Sequence, residues 1–242
     1  MILSTSFVKY HRAGRQQGFS LIEMAIVLVI LGALLGGLMV PLSSQREVSQ
    51  RQAAERQLQE IRNALIGFAQ ANNRLPCPAQ LGLGIEASAL GNCTFPNGFV
   101  PFRDLGLQGT VINQNLVDAW QQPIRYRLTG VSGPNPPATT WVYAKAPIPL
   151  APALLNRPDF EICTTSVGAS LTACSGPVTR VAPNIAAVII ATGENHGSAD
   201  EAENTDADRV FVMHSVDSSF DDILVWISQP TITYEISRAG GL

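Results

Sequence analysis

The feature that most limits how this 242-residue chain can fold is an apolar run that opens beside an acid. Residues 21–42, "LIEMAIVLVILGALLGGLMVPL", are apolar apart from Glu23. As a helix at ~1.5 Å per residue they reach roughly 33 Å, enough to span a bilayer. Residues 1–18 carry Lys9, Arg12 and Arg15 and no acid. A positive flank before a span predicts a cytoplasmic N-terminus, with everything after residue 42 outside. A secretory signal would have a shorter apolar core and a small-residue cleavage site after it. Here a polar, helical sequence follows Pro41 instead. A plain signal-anchor explains the span and its orientation but not Glu23. An ionisable group in hydrocarbon costs about 3 kcal/mol on insertion scales, so it needs a cationic partner, a proton or a route to the interface.

The segment "GFSLIEMAIVLVILG", Gly18 to Gly32, resembles the class III signal of type IV pilins and type II secretion pseudopilins. That pattern is a basic leader ending in Gly, then Phe, three residues, Glu and an apolar helix. Residues 12–42 match it closely. The resemblance implies cleavage by a prepilin peptidase between Gly18 and Phe19 and methylation of the new Phe19 amine. It implies insertion in the inner membrane with a periplasmic C-terminal domain. It also implies passage through an assembly platform into a fibre of other pilin or pseudopilin subunits, with no cofactor required. In that setting Glu23 of one subunit pairs with the Phe19 amine of a neighbour, so a charge costly in isolation is neutralised on assembly. Loss of the leader 1–18 leaves 13 of the 16 Lys+Arg against 19 acids, a side-chain net charge of −6 instead of −3. Such a surface is not drawn to nucleic acid or anionic lipid. Members of this family often carry a kinking Pro where Val40 stands; here it is Pro41. A kink or local melting around 36–42 is expected, or else a simple break at the membrane surface.

Beyond the span, residues 43–72 carry Ala54, Leu58, Ile61, Leu65 and Phe68 at spacings of four, three, four and three, one apolar stripe on a helix. Arg46, Arg51, Glu55, Arg56, Glu60 and Arg62 take the other face. Ser43 or Ser44 suits a cap after Pro41, and Asn72-Asn73 suits a stop. The stripe is expected to pack on the outer domain, a self-associating coiled coil being the alternative.

Residues 73–242 form that domain. Short β-prone runs at 124–128, 141–145, 160–163, 185–191, 209–214, 223–228 and 231–236 are separated by turn residues. A long helix followed by strands predicts an α+β, pilin-like fold, the helix laid across an antiparallel sheet. Four cysteines, an even number in an exported domain, favour disulfides over buried thiols. Of three possible pairings, Cys77–Cys93 and Cys163–Cys174 close the shortest loops at the least entropic cost. "DAWQQPIRY", Asp118 to Tyr126, is similar to the D-P-W-G-x-P-Y-x-Y segment of major pseudopilins. Ala119 and Gln121 replace its Pro and Gly, which implies a less sharp turn, and Trp120 reads as core. "VPFRDLGL" and "LPCPA" resemble segments of proteobacterial prepilin-type proteins.

The acidic stretch 192–212, "TGENHGSADEAENTDADRVFV", has six acids between Glu194 and Asp208 and no Lys or Arg among them. Asn204, Asp206 and Asp208 at alternate positions suit a flexible Ca²⁺ loop, and major pseudopilins bind calcium late in the chain. Asp221-Asp222 can donate a further carboxylate. A solvated acidic loop is the plainer reading, since the Gly and Glu of an EF-hand are missing. His196, His214 and Ser198 form no nucleophile elbow, and no Walker A, dinucleotide or HExxH motif is present. The chain is therefore read as a non-enzymatic fibre subunit, minor by its large domain and Pro-rich loops. The alternative is a membrane-anchored periplasmic binding protein or hydrolase that never polymerises.

Overall fold

In the computed structural model the described residues are 18–89, 92–94, 97–129, 160–170, 173–174, 179–206 and 208–240, less the side chains of 36–44, 89 and 92. The chain divides into two units, Met1–Glu47 and Val48–Leu242. Helix α1 (Leu21–Asn72) starts in the first. The Ser20 carbonyl accepts the N–H groups of Glu23 at 3.1 Å and Met24 at 3.2 Å, closing its first turn. Every side chain from Phe19 to Leu35 is exposed, Leu21 at 92%. Among the described residues no helix is long and apolar enough to cross a membrane. The local melting or break expected around 36–42 and the helix restart capped by Ser43 or Ser44 are not found, because α1 is one helix from Leu21 to Asn72; the strand expected at 141–145 lies outside the described residues.

In the second unit the predicted stripe of α1 is buried. Ala54, Leu58, Ile61, Leu65 and Ala69 are at most 1% exposed. The last member is Ala69, not Phe68. At ~100° per residue these two lie on opposite flanks of the line through Leu65, and the contact turns to the Ala69 side. Phe68 is half-buried and carries the Arg74 guanidinium 5.1 Å from its ring centre. The helix ends as expected: Asn72 Nδ2 donates to the Phe68 carbonyl at 2.9 Å and Asn73 turns left-handed at φ 53°.

Two short hairpins follow, β1 (Ser88–Ala89) with β2 (Asn92–Cys93) and β4 (Val111–Ile112) with β5 (Asn115–Leu116). Asn113 and Gln114, both at positive φ, make the tight β4–β5 turn. The main sheet holds β3 (Asn97–Phe99), β6 (Arg125–Leu128), β7 (Phe160–Cys163), β8 (Arg180–Ala191), β9 (Val210–Val212) and β10 (Ile223–Ser228). Strand β8 is its spine. It pairs antiparallel with β7 through its first half and with β6 and β10 through its second. The sheet is mixed rather than antiparallel, because β9 runs parallel to β7. After β8 the chain reverses through α2 (Ala199–Thr205), so β9 enters beside β7 with the same sense.

Alternation along the strands sorts two cores. Tyr126, Leu128, Ala187, Ile189, Ala191, Ile223, Val225 and Ile227 join the α1 stripe, while Val188, Ile190 and Leu224 join Phe160, Ile162, Ile185 and Phe211. The segment 231–236 is not a strand. Helix α3 (Gln229–Arg238) begins at the Ser228 cap with Pro230 in its first turn, and it buries Ile232 and Ile236 while leaving Tyr234 62% exposed. That is burial at spacing four; alternation would have buried Tyr234 too. Disulfides join Cys77 to Cys93 and Cys163 to Cys174, with Cα separations of 5.2 Å and 5.7 Å.

Candidate functional site

Two regions carry the chemistry singled out in the sequence, one in each unit. The first is the start of α1. Gly18 and Phe19 precede the helix and are exposed, so the Gly18–Phe19 peptide bond is open to a protease. Glu23 lies in the first turn, where the unsatisfied N–H groups favour a carboxylate. Around it Leu21, Ile22, Met24 and Ile26 are all at least half exposed. An apolar helix bare on every side is not stable against water and requires lipid or other apolar helices around it.

The second region is the acidic stretch. Helix α2 occupies its middle, which the run of acids had concealed. Ser198 caps it, accepting the Glu201 N–H at 3.1 Å, while Glu201 Oε2 accepts from the Gly197 and Ser198 N–H groups. Asn204 is fully buried and its amide is spent: it donates to the Val212 carbonyl and to Asp222 Oδ2 and accepts the Val212 N–H at 2.7 Å. Asp206 and Asp208 come together with Glu203 instead, one oxygen of each within 4.8 Å of the others. Burial, helped by the neighbouring acids, pushes Glu203 up to about 7. Burial likewise lifts Asp208 to about 6, although the Val210 N–H bonds it. The carbonyls of Asp206 and Asp208 accept from Arg127 at 2.9 Å and 2.5 Å. The buried Arg127 guanidinium lies 5.3 Å and 4.9 Å from the Phe160 and Phe211 ring centres, which locks the stretch to the sheet.

A second carboxylate group, Glu201, Asp221 and Asp222, also has one oxygen of each within 4.8 Å. Asp221 Oδ2 accepts the N–H groups of Glu194 and Asn195 at 2.9 Å and 3.1 Å. Gly193, at φ +63°, lets that backbone wrap so closely that an added Cβ would overlap the Asp221 carboxylate. Burial pushes Asp222 up to about 7 against the bond from Asn204, with the Glu201 and Asp221 charges adding to it. Sequence reading had placed Asp221 and Asp222 near this chemistry but not Glu201 or Glu203, because both were hidden in a helix read as loop.

Of the candidate catalytic groups, Ser198 is a cap and His196 is exposed. His214 Nε2 lies 3.3 Å from Asp200 Oδ2, and Ser166 Oγ donates to Asp200 Oδ1 at 2.6 Å. The carboxylate thus stands between hydroxyl and imidazole, an order in which the imidazole cannot take the serine proton. A groove of about 690 Å³ beside β10 is lined by Arg51, Arg56, Glu60, His214 and Asp222, a mixed-charge surface.

Residues 14–39 match the prokaryotic N-terminal methylation motif, the prepilin signal of type IV pilins and pseudopilins. No curated protein and no solved structure matches the chain.

Proposed function

We propose that this chain is a pilin-like or pseudopilin-like structural subunit, without enzymatic activity, that joins a type IV pilus or a type II secretion pseudopilus as a minor component. The single observation that carries the reading is the prepilin signal at 14–39. Such a signal implies cleavage by a prepilin peptidase and assembly with other pilins. Three features support the reading beside it. The apolar start of α1 is bare and needs lipid, then neighbouring helices, to cover it. Two disulfides suit a domain exported to an oxidising compartment. The polar half of α1 is built into its own unit: Gln57 Nε2 donates to the Val117 carbonyl and Arg62 Nε to the Trp226 carbonyl, both at 3.0 Å.

In this reading the chain inserts in the inner membrane through residues 19–42, with residues 73–242 in the periplasm. Cleavage after Gly18 bares the Phe19 ammonium, and Glu23 recruits the subunit by pairing with the Phe19 amine of another. Glu23→Ala is expected to insert and be cleaved normally yet be absent from sheared fibres. Wild-type incorporation of that variant, measured by quantitative immunoblot of the sheared fraction, contradicts the role of Glu23. A protein that is processed but found only as single copies in the membrane points to the non-polymerising anchored alternative.

A further inference from the structure

His214, just past β9, has no part in the fibre reading, yet its half-buried ring is enclosed by acceptors. Its Nδ1 lies 2.8 Å from the Ser215 carbonyl oxygen and 3.9 Å from Asp217 Oδ2, and its Nε2 lies 3.3 Å from Asp200 Oδ2. Carbonyls and ionised carboxylates only accept, so each ring nitrogen needs a hydrogen here. A neutral imidazole carries one N–H and would turn a lone pair on an acceptor; the imidazolium satisfies both sides. The ring also leans on the buried Phe220, with centroids 4.0 Å apart and planes at 31°, a contact that favours the charged form.

The two carboxylates are themselves fixed. Burial raises the Asp200 carboxyl, but the Ser166 hydroxyl and N–H, the Thr165 hydroxyl and the His214 charge together hold it below its ordinary value of 3.8. It therefore stays ionised wherever an imidazole titrates. Those three donors, at 2.6, 2.7 and 3.2 Å, all fall on Oδ1 and leave Oδ2 to His214. Asp217 is arranged alike: the Ser219 hydroxyl and N–H, both at 2.7 Å, occupy its Oδ1, and Oδ2 faces the ring. Asp200 thus joins the loop after β7, which the Cys163–Cys174 bridge closes, to the connection between β9 and β10 through one imidazole. His214 also forms part of one wall of the groove beside β10, where the other charged groups are Arg51, Glu55, Arg56 and Glu60 of α1 and Asp222 before β10. Arg51 is spent on Glu55 at 3.3 Å and Asp222 on Asn204 at 2.8 Å. The Arg56 Nε is held by the Gln52 carbonyl at 3.0 Å. The surroundings of the ring are thus acidic or neutralised, which suits a second proton on it.

We propose that His214 is a pH-operated latch: charged in acid, it ties α2 to the 213–222 connection, and on losing its proton it releases that connection and loosens one wall of the groove. The stabilisation belongs to the charged ring. It is present in acid and is lost as pH rises through the range in which imidazoles titrate, ordinarily about 6.5. The latch holds whether or not the chain joins a fibre.

The test follows hydrogen exchange of the 213–220 peptide in the full-length chain in detergent micelles, for wild type, His214→Gln and His196→Gln. The ratio of variant to wild type at each pH cancels the pH dependence of exchange itself. His214→Gln should exchange about tenfold faster than wild type at about pH 5.5 and within about twofold of it at about pH 8.5. His196→Gln, which changes an exposed ring, should match wild type at both. A ratio near one at both pH values for His214→Gln overturns the latch. A ratio near ten at both assigns His214 to packing alone and overturns it equally, as does the same pH response in His196→Gln. If His214→Gln does not fold, the ring ¹⁵N resonances of wild-type His214 decide. Two protonated nitrogens at about pH 5.5, one of them lost by about pH 8.5, support the latch; a neutral ring at about pH 5.5 overturns it. None of these outcomes bears on processing at Phe19.

Discussion

Arg74 and Glu86 meet in two parallel bonds, Nη1 to Oε2 at 2.8 Å and Nη2 to Oε1 at 2.7 Å, with both side chains about three-quarters buried. The Arg74 bonds hold the Glu86 carboxyl below its ordinary value of 4.5, against the pull of burial. The unfolded chain therefore binds the proton first. The stabilisation is fully present above the unfolded value and is lost as pH falls through the lower, folded one. Urea melts of wild type and Glu86→Gln should keep a constant separation from pH 6 to 8 and converge only below about pH 4.5. Gln121 makes the opposite point about local chemistry. Its sequence predicted a looser turn, since it stands where similar segments carry Gly. It nevertheless adopts φ 67°, and Asp118 Oδ1 clamps the turn by accepting the Trp120 and Gln122 N–H groups at 2.9 Å. The strain is retained because the clamp outweighs it. Gln121→Gly should stabilise the protein by about 0.5–1 kcal/mol in chemical denaturation, with the fold unchanged.

Among the elements, the second half of α1 holds most of the core together. Leu58 and Leu65 are fully buried against the sheet. Leu58→Ala should cost about 2–5 kcal/mol in the same denaturation experiment, whereas Val48→Ala, on an exposed turn of the helix, should cost under about 0.5 kcal/mol. The stripe was legible because one face of a long helix must bury the same kind of residue every three or four positions. The strands β6, β7 and β10 were legible for the corresponding reason, alternation against two cores. Helix α3 was not. "TITYEI" alternates by accident, and only the Ser-x-Pro start at Ser228 marks a helix. Helix α2 was announced by Ser198-x-x-Glu201, a capping box, but seven residues rich in acids look like solvent-facing loop. The parallel placement of β9 depends on the reversal through α2, so missing that helix also meant missing the mixed sheet. The site followed the same course. Gly18, Phe19 and Glu23 fall within one six-residue stretch and are readable. The convergence of Glu201 with Asp221 and Asp222 is a product of folding, since Glu201 and Asp221 are 20 residues apart in sequence.

For the molecule as a whole, each disulfide closes a short loop within its own part of the domain, 16 and 11 residues apart in sequence. Replacing Cys77 and Cys93 together by Ser should lower stability by about 3 kcal/mol, the entropy regained by a loop of that length, and reductant should have no further effect at that bridge. The larger question is what covers the apolar start of α1. Bare in water it is untenable; cleaved after Gly18, it offers a free amine and an acid four residues apart that neighbouring copies can pair. Cleavage at that bond is the event on which the fibre reading depends. Intact-mass and N-terminal peptide mass spectrometry of chain purified from cells that hold a prepilin peptidase measures it directly. A mature chain beginning at N-methylated Phe19 is expected. A chain that still begins at Met1, exported and folded with both disulfides formed, contradicts it.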